Sequence, residues 1–120
     1  SEKLAVLNSI VHPAVRRDFQ AWLGQQTTKY ILYESALIFE HQQQDNFDCI
    51  ILVTAPREER IKRVQKRDNC SADDVVKRMD KQMNEEIKIK KADIIIENIK
   101  IKELNRKITE INDKIMNKMQ

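Results

Sequence analysis

The chain has 120 residues, 41% hydrophobic and 34% charged, with a net charge of +3. That is one domain's worth, or a piece of one, and no apolar run approaches the roughly 20 residues that span a bilayer. So small a charge makes no case for a long nucleic-acid partner, and the isolated Cys49 and Cys70 make none for a metal knuckle or a redox pair.

Taken in chain order, Leu4, Leu7, Val11, Val15, Phe19, Trp22 and Leu23 recur every three or four residues, which is a helical face. Pro13 interrupts it, so the sequence predicts two helices, or one kinked at His12-Pro13, with Gly24 placed for a stop. The start, SEKLAVLNSIVHP, lacks the basic head and cleavage site of a signal peptide. A reducing cytoplasm is the expected setting. YILY at 30–33 is a short β-prone run. CIILV at 49–53 does not alternate, as expected for a strand covered on both faces in a parallel sheet. Pro56 then suits the first turn of a helix running to about Arg67, with Glu58 and Glu59 at its positive end.

Ser71-Ala72-Asp73-Asp74 has the form of a capping box and predicts a helix from there to about Lys91. DIIIE at 93–97 is a further buried-type strand. From Ile101, the residues Leu104, Ile108, Ile111, Ile115 and Met119 form a near-heptad stripe. Such a stripe either packs on its own sheet or zips to another chain as an oligomerising module, which is the alternative, non-catalytic reading of the protein. Alternation of strands and helices predicts an α/β fold with a parallel sheet.

Charge is gathered in one place. Residues 56–68 hold six cations and three acids, whereas residues 1–55 hold four and six. Arg60, Lys62, Arg63, Lys66 and Arg67 are either a solvated helix face or a site for a phosphate-bearing ligand. Gly24 is the only glycine, so these residues contain no glycine-rich phosphate loop.

The order of His12-Pro13, ALIFE at 36–40, FDCIILVTAP at 47–56, the Arg60-to-Asp68 segment, Gln82 and ADIIIEN at 92–98 resembles the dephospho-coenzyme A kinases, a family of P-loop kinases. The resemblance covers about residues 4–112. It implies transfer of the ATP γ-phosphate, with Mg2+, to the ribose 3′-hydroxyl of dephospho-coenzyme A. It also implies that residues 1–120 form a single partial kinase domain: 1–26 helical on the coenzyme side, 68–80 a lid, and 100–119 the C-terminal helix. The family's opening strand, Walker A loop and proton-accepting aspartate have no counterpart here, so the expected fold is an incomplete P-loop kinase-like sheet. The chain alone is then expected to be inactive and to hold ATP weakly. In that fold YILY and CIILV flank the absent strand, and self-association through unpaired strands is expected.

By the resemblance, Arg63 and then Arg67 contact ATP phosphates, with Asp68 positioning Arg67 or capping the turn. Gln82 faces the nucleotide, unless it is a solvated helix residue. Asn98 contacts adenine, unless it is a plain turn residue. His12 orients the coenzyme or only steadies a helix junction, and Glu34 touches the acceptor or ends a strand. No metal site is expected from these residues, and neither nucleic acid nor membrane is an expected partner. Two departures stand out: Glu34-Ser35-Ala36 replaces the family's Asp-x-Pro, and Arg60 replaces a common glutamine.

Overall fold

The computed structural model describes residues 1–119. They form two compact units, Ser1–Tyr33 and a second that begins at Glu34.

The first unit is one long helix and a tail. Helix α1 runs Glu2–Leu23, with Ser1 capping it by accepting the Leu4 N–H at 3.3 Å. Pro13 lies inside α1, which continues through it, so the two-helix alternative is set aside. The ring removes only the N–H that would bond the Ser9 carbonyl, and the rest of the ladder carries the helix past it. Gly24 ends the helix as expected, though in a right-handed conformation (φ −63°) that demands no glycine. The expected YILY strand is absent: residues 30–33 have no regular structure. A strand needs a neighbour to satisfy its backbone, and these residues turn to α1 instead. Tyr33 meets Phe19 edge-on at 5.1 Å between ring centroids, and Phe19 stacks on Trp22 at 5.8 Å.

The second unit holds an α/β core. Strand β1, Ile51–Thr54, pairs in parallel with β2, Ile94–Glu97, in the register Ile51 to Ile94 through Thr54 to Glu97. The ladder is closed at both ends. Asp93 Oδ2 accepts the Ile50 N–H at 2.7 Å, and the Asn98 N–H donates to the Thr54 carbonyl at 2.7 Å. Between the strands come three helices: α2 (Arg57–Asp68), α3 (Ala72–Met79) and α4 (Glu85–Lys91). The predicted single helix from Ser71 to Lys91 is thus two. Asn84 explains the break, because its side chain accepts the Glu86 N–H at 2.8 Å and caps a new start. The capping box at Ser71 is present in both directions. Helix α5, Ile101–Lys118, packs on β2 and buries Ile111. The sheet-packing reading of its stripe therefore holds, while Ile101 and Ile108 stay exposed.

The buried apolar residues of this unit are Phe39, Ile50, Ala55, Ile61, Val75, Ile96 and Ile111. It is a thin core, and Val75, 2% exposed, is the one residue of α3 that enters it. Val75→Ala is expected to lower stability by about 2 kcal/mol, measured by urea unfolding. A loss below about 0.5 kcal/mol would mean that α3 is not pegged to the core through this side chain.

Candidate functional site

Helices α2 and α3 meet along their inner faces and leave a cleft of about 330 Å³ between them. Val64, Val75 and Met79 supply its apolar wall, and Arg60, Arg63, Arg67, Arg78 and Gln82 supply its polar groups. The spacing explains the gathering. Arg60, Arg63, Val64 and Arg67 follow at three and four residues along α2, so one helical face carries them all. On α3 the cap at Ser71 fixes the phase, which puts Val75, Arg78 and Met79 on one face.

Each guanidinium is held differently. Arg60 is ion-paired with Glu85, the first residue of α4, and the Thr54 hydroxyl donates to the other oxygen of that carboxylate. The three residues join the end of β1, the start of α4 and the first turn of α2. Arg67 donates from Nε to Asp68 Oδ1 at 2.7 Å and from Nη2 to Oδ2 at 3.2 Å. Arg78 reaches back from α3 to the same Oδ2 at 2.8 Å. Arg63 donates from Nη1 to the Asn98 carbonyl at 2.8 Å. A neutral carbonyl leaves its charge intact, and among the described residues no carboxylate pairs with it. Arg63 is therefore the strongest uncompensated cation in the cleft.

The acid–base properties follow from these contacts. Hydrogen bonds from Arg67 and Arg78 hold the Asp68 carboxyl down at about 2, and the same bond to Asp68 raises the Arg67 guanidinium further. Away from the cleft, burial pushes the Cys49 thiol up, with Asp93 adding to the effect. That thiol stays protonated and is no nucleophile.

The structure brings together three of the residues expected from sequence, Arg63, Arg67 and Gln82, and adds Asn98 through its backbone rather than its side chain. Glu34 is exposed and does not line the cleft. His12 lies in the middle of α1 in the first unit, next to Pro13. Arg78 was missed: beside Lys77 it reads as a solvated helix residue, and only the capping phase betrays its face. Arg60, which the sequence left unexplained, is the link to Glu85. Among the described residues no three His, Cys, Asp or Glu side chains are grouped to hold a metal, and no helix is long and apolar enough to cross a membrane. Chemically, guanidiniums converging on a partly apolar wall suit a multiply charged anion attached to an organic group.

Comparison with known proteins gives the family. The family model described as dephospho-CoA kinase (CoaE) matches residues 1–103. The chain belongs to the dephospho-CoA kinase family. It is 36% identical over 106 residues to the dephospho-CoA kinase of Bacteroides fragilis, covering 88% of this chain and 52% of that protein. With the dephospho-CoA kinase of Carboxydothermus hydrogenoformans it shares 37% over 100 residues, covering 81% and 48%. The crystal structure of TT1252 from Thermus thermophilus superposes with a TM-score of 0.86 at 34% identity, over 94% of this chain and 60% of that one. The fold is thus the α/β arrangement of a P-loop kinase, and the chain spans about half the length of the curated relatives it matches.

The pairing of Asp68 has a direct titration signature. Its native value lies below the ordinary 3.8, so its contribution is in place above that pH and fades as pH falls toward about 2. Carbon-detected NMR of the Asp68 carboxyl is expected to give a midpoint near 2, moving up when Arg78→Gln removes one donor. A wild-type midpoint near 3.8 would show that neither arginine engages it.

Proposed function

We propose that these residues supply the lid and part of the nucleotide side of a dephospho-CoA kinase. The reaction would carry the γ-phosphate of ATP to the ribose 3′-hydroxyl of dephospho-coenzyme A. The observation that carries this reading is Arg63: a guanidinium with no carboxylate partner among the described residues, in an arginine-lined cleft, on a chain of this family. Phosphoryl transfer is catalysed mainly by position and by charge that meets the migrating group. Arg63 contributes that charge first, Arg67 second and Arg78 with them. Gln82 lies at the nucleotide edge of the cleft, and the Asn98 turn faces the base. His12 and Glu34 belong to the coenzyme side in this reading, and ATP and dephospho-coenzyme A are the partners, in the cytoplasm.

Among the described residues no three His, Cys, Asp or Glu side chains are grouped, and none of the steps assigned to them runs through Mg2+. With a single glycine they also offer no backbone cradle for phosphates. They therefore contribute the arginine half of a grip whose other half is of the Walker A kind, and the 120 residues alone turn over negligibly and hold ATP weakly.

Joining these residues to the N-terminal half of the Bacteroides fragilis enzyme is the test. The chimera is expected to phosphorylate dephospho-coenzyme A, and Arg63→Ala in it to lose roughly a hundred- to a thousandfold in kcat. Equal turnover by the Arg63→Ala chimera, or 3′-phosphorylated product from the 120 residues alone, sinks the assignment.

The two-stranded sheet adds an expectation of self-association. Among the described residues β1 is bonded along one edge only, which offers its other edge to a second strand. Light scattering after size exclusion is expected to show a mass that rises with concentration. A monomer at every concentration removes that part of the reading.

A further inference from the structure

Asp68 is the last residue of α2, where the negative end of the helix dipole disfavours a carboxylate. The residue that follows, Asn69, turns the chain in a left-handed conformation (φ 49°) and sends it into α3. Across that turn one carboxylate takes hydrogen bonds from two arginines on different helices, Arg67 of α2 and Arg78 of α3. Both arginines line the same cleft.

We propose that Asp68 is the positioning residue of this cleft, holding Arg67 and Arg78 in place so that a polyphosphate meets arginines already fixed. The proposal rests on the reading that the cleft takes a polyphosphate, and it assigns the part that organises it. Simple charge counting predicts the opposite, since a carboxylate beside an anion site repels the anion. Geometry decides between the two. The Arg67 and Arg78 side chains are 73% and 59% exposed, so without a tether each keeps wide rotamer freedom that binding must remove. The repulsion, in contrast, acts in an open cleft where water and salt screen it. Asp68 also engages only part of each guanidinium, because five N–H groups are available on each. Most of them stay available to a ligand. Finally, the shared carboxylate offsets the mutual repulsion of two cations that would otherwise push α3 away from α2.

The test uses inorganic tripolyphosphate as probe, titrated into the wild-type chain, Asp68→Asn and Asp68→Glu. Asp68→Asn adds net positive charge, yet it is expected to bind about fivefold more weakly, because lost positioning outweighs the screened repulsion. In the free protein, well below the thermal midpoint of either form, the Arg67 and Arg78 Nε–H signals are expected to be distinct in the wild type and averaged in Asp68→Asn. A role confined to stability would not move those signals while α3 stays folded. Asp68→Glu, which keeps the charge one methylene further out, is expected to fall between the two, and it carries the test if Asp68→Asn does not fold. Equal or tighter binding by either variant overturns the proposal alone. A wild-type chain that takes up no tripolyphosphate overturns the phosphate reading and the proposal with it. The two failures are told apart by whether they appear in the wild type or only in the variants.

Discussion

Like charges in a small space are the constraint on which this structure turns. Arg60, Arg63, Arg67 and Arg78 line one cleft, and left to themselves they would repel and splay. The fold answers with two carboxylates, one at each end. Glu85 takes Arg60 and ties it to Thr54 at the end of β1, and Asp68 takes Arg67 and Arg78 at the turn between α2 and α3. Arg63, between them, is left with a neutral carbonyl. The positive field of the cleft is thereby focused at its middle rather than spread along its length, which suits an anion entering there.

Strands, helix starts and caps were legible in the sequence because each depends on neighbours close in the chain. CIILV and the three isoleucines of DIIIE are apolar runs, and both enter the paired strands, although Val53 and Ile95 are exposed rather than covered. Pro56 stands at the N-cap of α2, one residue ahead of the first turn in which it was expected, and Ser71 with Asp74 forms the reciprocal cap that their spacing announced. YILY failed for the converse reason: its β tendency is local, but a strand is stable only with a partner, and the Phe19 ring was the partner at hand. The break before α4 was readable in principle from Asn84, whose capping role was hidden by the polar residues around it.

The site divides the same way. Arg63 and Arg67 could be singled out because they lie in the densest cationic run and match a family's order of motifs. Arg78 could not, because its importance comes from which face of α3 it occupies, and that face is set by Val75 entering the core. Asn98 was placed at the correct turn for a different contact: its carbonyl, which any residue would provide, is what meets Arg63.

How α3 and α4 are held also says where the support of the fold is thin. Helix α4 is bolted at its start and its middle: Glu85 binds Arg60 and Thr54, while Glu40 accepts from Lys88 and from the Met83 N–H at 3.0 Å. Glu40 and Lys88 are only 13% and 12% exposed, so losing either partner would strand a charge with little water to solvate it. Burial pushes the Glu40 carboxyl up, but the bond from Lys88, those from the backbone N–H groups of Glu40 itself and Met83, and the Lys88 charge together outweigh it and leave the group below its ordinary value. The fold thus keeps Glu40 ionised at neutral pH. Helix α3 has no such bolts. It depends on one buried valine and on an exposed ion pair of the kind that contributes little by itself. A segment fixed that lightly keeps Arg78 over the cleft only while the Asp68 carboxylate holds it, so that contact matters more to the cleft than to the sheet.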